Sequence, residues 1–302
     1  MKKVSIIGTG NVGIHAAESI FRSCAAEIVL MDIREGWSEG ISLDISQSAN
    51  LTQNYALIKG ADGYGDIKDS DFIIITAGSP RKAGMSRMDL LEINRNIMND
   101  IGNEILSAAP NAVVLIITNP VDHLTHFFKK DFPSLNVFGF GCALDSVRYR
   151  YFIGRKLNIN PSHINGLIIG THNPDMIPYI EGTSVGGVPV TEFLNDDELR
   201  DIRELTVNAG TEIVKYLKTT GSSYTAGEIL GRLAKAVLED RPDVFSVDTL
   251  LTGEMGISGV TLSVPAVVNG GGVSKVLPLP ASGKTFEQFN ALARKTGESQ
   301  NP

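Results

Sequence analysis

Four short segments of this chain carry side chains able to move a proton, grip an anion or orient a carbonyl. His172 follows the apolar run 164–169 and precedes Asn173-Pro174-Asp175, where a chain leaving a buried strand would turn. An imidazole exchanges protons near neutral pH without any perturbation of its environment, so His172 is a candidate acid/base. Asp145 and Arg148 lie three apart and share one face of any helix formed there, either as a surface ion pair or as part of a site. Arg81 and Arg87 lie six apart in the stretch 78–87, which has glycines at 78 and 84 and a proline at 80. Such a stretch is either a solvated basic loop or a hinged loop that closes on an anion. Asn119-Pro120 ends the apolar run 112–117, where a side-chain amide could orient a carbonyl or carboxamide, although alone the pair is a turn signal.

A fifth segment reads as a phosphate cradle. Gly8-Thr9-Gly10-Asn11-Val12-Gly13 joins an apolar run at 4–7 to a helical pattern at 14–21. A second apolar run, 27–31, ends on Asp32, 19 residues after Gly13. Gly8 permits a tight turn, Gly10 lets backbone approach a pyrophosphate, and Gly13 lets helix and strand pack closely. The helix start offers N–H groups, from Asn11 and Val12 onward, and a partial positive charge to phosphate oxygens. Asp32 can accept hydrogen bonds from both ribose hydroxyls of an adenosine and would repel a 2′-phosphate. Strand, glycines, helix and acid together predict NAD as cofactor. Arg34, two residues on, could soften the exclusion of NADP by meeting its 2′-phosphate.

The elements that must position these groups alternate through the first half of the chain. Helix is predicted at 36–51, strand at 55–59, buried strand at 71–76, helix at 88–108, buried strand at 112–117, a last strand at 137–139 and a helix at 144–157. That rhythm is the signature of a parallel sheet covered on both faces, with reacting groups at the carboxyl ends of its strands. Beyond Asp145 the pattern changes. A strand at 164–169, a hairpin turning at Gly186-Gly187, helices at 191–218 and 225–238, and strands at 244–250 and 260–268 make an α+β region. The expected fold class is therefore α/β, a Rossmann-type doubly wound sheet over residues 1–143 followed by an α+β catalytic domain over 144–302.

Composition narrows the partners. The chain has 302 residues, 27 Lys and Arg against 34 Asp and Glu, and a net charge of −7. That balance disfavours nucleic acid or an anionic membrane, so an anionic substrate must be drawn by a local Arg cluster. Cys24 and Cys142 form no CxxC pair and read as small core residues. Of the five histidines, His15 and His163 read as structural or surface residues. His123 and His126 share a helical face, but no further ligand completes a set, so no metal is expected. The first strand starts at once and no apolar run reaches the roughly 20 residues of a membrane span, which gives a cytoplasmic expectation.

The chain resembles the lactate/malate dehydrogenase family, in its malate branch, along essentially its whole length. The resemblance is carried by the glycine loop 8–13, Leu43-Asp44-Ile45, Pro80-Arg81-Lys82, Gly84-Met85-Ser86-Arg87, Thr118-Asn119-Pro120-Val121, Leu144-Asp145-Ser146-Val147-Arg148 and Gly253-Glu254-Met255-Gly256. It implies reversible hydride transfer between NAD and a 2-hydroxy acid, and a role for each matched residue. His172 would exchange a proton with the substrate oxygen, and Asp145 would hold its other ring nitrogen and stabilise imidazolium. Arg148 would clamp the carboxylate at the reacting end with paired hydrogen bonds. Arg87 would swing in and polarise the carbonyl. Asn119 would contact substrate or nicotinamide, and Asn94 is placed with the cofactor-binding residues. Arg81 would choose the substrate, because a Gln at that position is typical of lactate dehydrogenases and an Arg of malate dehydrogenases. Oxaloacetate carries a second carboxylate that pyruvate lacks, and burying it unpaired would be costly. A homodimer or homotetramer is the family expectation.

One segment departs from the family pattern. Where the family has Gly and then Asp after the histidine, this chain has Asn173 and Pro174, with Asp175 one place later. Pro174 fixes its own φ and biases Asn173 toward extended backbone. Three outcomes are open: neutral variation, altered choice among 2-hydroxy acids, or an NAD-binding protein without catalysis. Whether Asp175 replaces the missing acid is open too. Ser222-Ser223-Tyr224 lies where the family places a small pocket-lining residue.

Overall fold

The computed structural model describes residues 1–52, 56–80, 84–218, 220–280 and 283–301, with the side chains of Thr52 and Arg87 outside that description. In chain order the first elements are β1 (Lys2–Ile7), α1 (Asn11–Ser23), β2 (Ala26–Met31), α2 (Trp37–Gln47), α3 (Ala49–Thr52), β3 (Leu57–Gly60), β4 (Phe72–Ile75), α4 (Arg87–Ala108), β5 (Val113–Ile116), α5 (Val121–Asp131) and β6 (Asn136–Gly139). They are followed by α6 (Ala143–Leu157), β7 (Ile164–Asn165), β8 (Ile168–Ile169), β9 (Ile177–Pro178), β10 (Ser184–Val185), β11 (Val188–Pro189), α7 (Asp196–Leu217), α8 (Tyr224–Leu238), β12 (Asp243–Thr252), β13 (Ser258–Asn269), β14 (Gly272–Val276) and α9 (Lys284–Gln300).

These elements divide into two compact units. The first comprises residues 1–139, 223–244 and 267–275, and the second comprises 140–222, 245–266 and 276–302. The cut after 143 expected from the rhythm of the sequence lies close to the first change of unit, at 139/140, and two later segments return to the first unit. Helix α8 belongs with the first unit because two glycines four apart let it lie directly on α1. A Cβ at Gly227 would come within 2.6 Å of the His15 Cβ, and one at Gly231 within 2.1 Å of the Ser19 hydroxyl. Spaced four apart, the two glycines clear one face of the helix.

The sheet runs β14-β13-β12-β6-β5-β4-β1-β2-β3, and within the first unit β6, β5, β4, β1, β2 and β3 are parallel neighbours. The doubly wound order starts from β1 at its centre, with Val4 opposite Ile28 on one side and Phe72 on the other. The strands Phe72–Ile75 and Val113–Ile116 are buried at every residue. A strand covered by helices on both faces has no polar side to show, so its sequence is continuous and β-branched rather than alternating.

In the second unit the expected strand 164–169 is two strands in two different sheets. Ile164 and Asn165 pair with β10, whereas Ile168 and Ile169 pair with β9. The break falls at Gly166, where a Cβ would press on the Tyr149 ring at 3.2 Å and on Thr183 at 3.1 Å. The hairpin of β10 and β11 turns at Gly186-Gly187, both at positive φ. Helix α7 starts at Asp196, later than the expected 191. Asn195 caps it, accepting from the Asp197 and Glu198 N–H groups while Glu198 bonds back to the cap. Helix α9 was not among the expected elements, although Phe289, Leu292, Ala293 and Thr296 mark its buried face.

The core of this unit forms two clusters. Ile168 joins Tyr149, Ile153, Met176, Leu199 and Ile202 in one, and Ile169 joins Ile177, Leu262, Val264, Phe289 and Leu292 in the other. Successive residues of a strand point to opposite faces, so β8 is packed from both sides. Its course toward His172 is held by apolar side chains that each contribute roughly 1.5–3 kcal/mol on burial.

Candidate active site

Helix α6 carries Asp145 in its first turn and Arg148 one turn later. A carboxylate there is favoured by the helix dipole. Asp145 is fully buried, and its two oxygens divide their work. Oδ2 lies 2.5 Å from His172 Nδ1, and Oδ1 accepts from Arg148 Nη1 at 3.2 Å. Burial pulls the Arg148 guanidinium below its ordinary pKa, while its ion pair with Asp145 acts in the opposite direction. The Asp145 side chain has no solvent exposure, that of Arg148 has 13% and that of His172 has 24%. The pair on α6 is therefore not a surface ion pair. A buried carboxylate that holds Nδ1–H sets the tautomer in which Nε2 is a proton acceptor, and it stabilises the imidazolium formed when a proton arrives.

Asp145 and His172 meet because a set of buried hydroxyls ties the start of α6 to the chain leading into His172. The Ser263 backbone exchanges both hydrogen bonds with Gly170, at 2.7 and 2.8 Å. Its hydroxyl accepts from the Cys142 N–H at 2.9 Å and donates to Asp248, which is itself fully buried. Ser146 works in parallel: its hydroxyl donates to the Cys142 carbonyl at 2.8 Å and accepts from the Ile168 N–H at 2.9 Å. Ser246 donates to the Ile168 carbonyl. None of Ser146, Ser246, Asp248 or Ser263 was singled out from the sequence as a site residue. For Ser246, Asp248 and Ser263 the available signal was polarity inside strands, since a buried polar group must find a partner.

The departure after His172 has a local explanation. The Asn173 side-chain carbonyl accepts from the Asp175 N–H at 2.7 Å, and the Met176 N–H donates to the Asn173 carbonyl at 3.0 Å. This is an Asx turn with Pro174 inside it. Arg203 on α7 holds the turn from outside, donating to the Pro174 carbonyl at 2.7 Å and the Met176 carbonyl at 3.2 Å. Asp175 is exposed and paired with Lys295 at 2.7 Å. Its backbone N–H serves the turn and its carboxylate pairs with α9.

In the first unit the glycine loop has the shape its sequence suggests. Gly8 sits at φ +100°, and a Cβ there would lie 2.4 Å from the Ala77 N. A Cβ on Gly13 would lie 2.1 Å from the Gly8 carbonyl oxygen. At Gly10 a Cβ would meet nothing within 4 Å, so this glycine faces open space at the start of α1, beside the backbone of Asn11 and Val12. No acidic residue occupies that first turn. The cradle fits an NAD pyrophosphate, with the helix N–H groups as donors.

Asp32 follows β2 and accepts from the Thr9 N–H at 2.8 Å, the Thr9 hydroxyl at 3.0 Å, and Arg34 Nε and Nη2 at 2.7 and 2.8 Å. The Arg34 guanidinium, with Thr9 assisting, holds its carboxyl well below the usual carboxylate range.

Asn119 is exposed at the carboxyl end of β5. Asn94 behaves differently from an open ligand. It is buried, its Oδ1 accepts from the Ser79 N–H at 2.7 Å, and its Nδ2 donates to the Asn119 carbonyl at 2.8 Å. Its amide ties the loops after β4 and β5 together. Arg81 lies outside the described residues, as does the side chain of Arg87, whose backbone opens α4 behind a Ser86–Asp89 capping box.

Comparison with known proteins divides the chain once, near residue 140. Residues 2–139 match the lactate/malate dehydrogenase NAD binding domain, and residues 142–298 match the lactate/malate dehydrogenase alpha/beta C-terminal domain. The chain is 34% identical over 300 residues to a malate dehydrogenase of Chloroherpeton thalassium, covering 98% of this chain and 97% of that protein. Its fold is similar to the apo form of malate dehydrogenase from Picrophilus torridus, with a TM-score of 0.94 and 30% identity over 99% of this chain and 96% of that one. It is also similar to the lactate dehydrogenase of Cryptosporidium parvum complexed with lactic acid and β-nicotinamide adenine dinucleotide. There the TM-score is 0.92 with 29% identity, covering 99% of this chain and 98% of that one. Proteins named for either substrate share the fold, so the choice between substrates rests on side chains.

Proposed function

Since the chain belongs to the lactate/malate dehydrogenase family, we propose that it interconverts (S)-malate and oxaloacetate with NAD, using His172 as the acid/base. Bound NAD supplies the acceptor for the hydride leaving malate C2. His172 takes the hydroxyl proton at Nε2 while Asp145 keeps Nδ1–H in place. In the reverse direction the imidazolium returns that proton to the carbonyl oxygen. Arg148 pairs with the carboxylate next to the reacting carbon, and Arg87 polarises the carbonyl as charge develops on its oxygen. Asn119 orients the reacting end. Gly8, Gly10, Asn11, Val12, Gly13 and Asp32 hold the cofactor. The observation that supports this reading most is the buried Asp145 carboxylate that engages His172 and Arg148 at once.

Arg81 carries the choice of malate over lactate. A guanidinium opposite the second carboxylate removes the cost of enclosing it, and it leaves pyruvate facing an unpaired cation. The Arg81→Gln variant is expected to lose about a hundredfold or more of kcat/KM on oxaloacetate, the scale of ~3 kcal/mol of lost charge pairing. Pyruvate reduction is expected to stay within a few-fold. Equal losses on both substrates in a steady-state NADH assay would remove Arg81 from the specificity role.

The same reading places the enzyme in the cytoplasm as a homodimer or homotetramer. Leu205, Val214 and Leu217 on α7 are exposed, as an oligomer contact would require. Among the described residues, no helix is long and apolar enough to cross a membrane.

A further inference from the structure

We infer that the adenosine end of the cofactor site accepts a 2′-phosphate on Arg34, so that this enzyme uses NADPH as well as NADH. The inference rests on the dehydrogenase reading above and concerns a different part of the cofactor from the reacting ring.

The Asp32 carboxylate has no room for a ribose diol as it stands. Oδ2 accepts from the Thr9 N–H, the Thr9 hydroxyl and Arg34 Nη2, while Oδ1 accepts from the Arg34 N–H at 3.2 Å and Arg34 Nε. These are five donors on a group with about four lone-pair sites. For the 2′- and 3′-hydroxyls to bond to Asp32, the Arg34 side chain must give way.

What gives way stays at the mouth of the site. The Arg34 guanidinium lies 3.9 Å from the centre of the Trp37 ring, and Nη2 also donates to the Thr9 carbonyl at 3.1 Å. Trp37 is fixed in turn by its indole N–H, which donates to the same carbonyl at 2.9 Å. Stacking of this kind anchors a guanidinium without consuming its outer donors.

The exposures of the two charges differ. The Asp32 side chain is 9% exposed and that of Arg34 is 47% exposed, so the outward layer at the ribose end is cationic. An incoming 2′-phosphate meets that cation first and can accept two parallel hydrogen bonds from its fork. Asp32 keeps its Thr9 partners behind it. With NADPH the guanidinium exchanges one anion for another. With NADH it leaves its carboxylate and receives no anion in return. The usual penalty that an acid at this position places on the phosphorylated cofactor is thereby offset.

Direct binding tests this independently of turnover. NADH and NADPH are titrated into the native protein and into Arg34→Gln by calorimetry. Trp37, the single tryptophan of the chain, supplies a fluorescence signal from the site itself with NAD⁺ and NADP⁺. The expected result is NADPH affinity within about tenfold of NADH in the native protein. Arg34→Gln should weaken NADPH by about ten- to a hundredfold, on the scale of a lost charge-assisted pair, with NADH unchanged or tighter. NADPH binding more than about a hundredfold weaker than NADH in the native protein would overturn the inference, as would equal shifts for both cofactors in the variant. Failure of NADH itself to bind would overturn the dehydrogenase reading and this inference with it.

Discussion

Asp145→Asn is expected to lower kcat by about four orders of magnitude, the scale set when the carboxylate of a carboxylate–histidine pair is replaced by its amide. The native carboxylate only accepts, so it demands Nδ1–H on His172 and leaves Nε2 to take the substrate proton. An amide can instead donate to Nδ1, which puts the ring proton on Nε2 and closes the acceptor. It also removes the negative charge that stabilises the imidazolium. The shape of the side chain is kept, and Ser146 and Ser263 still pin the helix start to β8 and Gly170, so the fold should hold. Steady-state kinetics in both directions, with NADH binding measured alongside, check this. A loss of less than about tenfold with cofactor binding intact would show that Asp145 does not act through His172.

Arg148→Met is expected to be the second largest loss, and it should appear in stability as well as in rate. The variant removes one of the two groups facing a fully buried carboxylate, at a site where the arginine is only 13% exposed. Breaking a buried pair on one side costs about 3–5 kcal/mol, and the remaining His172 contact should bring the observed value toward the lower end. For the reaction, the 2-oxo acid loses its paired hydrogen bonds at the reacting end, and kcat/KM should fall by about a thousandfold or more. Arg148→Lys should recover stability better than activity, because a point charge can face Asp145 but cannot reproduce the planar fork. Denaturant unfolding and kinetics on both variants test the split. Full recovery of activity by lysine would mean that charge alone is needed there.

How much of this was legible in the sequence differs from residue to residue. The glycine loop was legible because its demands are local. Gly8 and Gly13 cannot carry a Cβ where the backbone turns back on itself, and no other residue type satisfies that. Asp145 and Arg148 could be seen to share a helix face, but their burial could not, since it depends on elements far along the chain. The approach of His172 to Asp145 spans 27 positions and is set by Ser263, Gly170 and Cys142, three residues of no distinctive type.

The break between β7 and β8 was hidden inside one apolar run, because Gly166 acts through the shape of its neighbours rather than through polarity. The assignment of α8 to the first unit was hidden for a similar reason: Gly227 and Gly231 reveal their purpose only against α1. The hydrogen bonds of Asn94 were hidden as well, because its amide joins the Ser79 N–H and the Asn119 carbonyl, 15 and 25 positions away. At Asp175 a charge beside the histidine invited a functional role, and Lys295 supplies its partner instead.

Oxaloacetate reduction is the activity on which every residue role proposed for this chain depends. The most direct measurement is steady-state NADH oxidation by the native enzyme at neutral pH with oxaloacetate and with pyruvate, side by side. The expected result is a kcat/KM at least about a hundredfold higher on oxaloacetate, because pyruvate leaves Arg81 unpaired. Equal rates, or a preference for pyruvate, would contradict it.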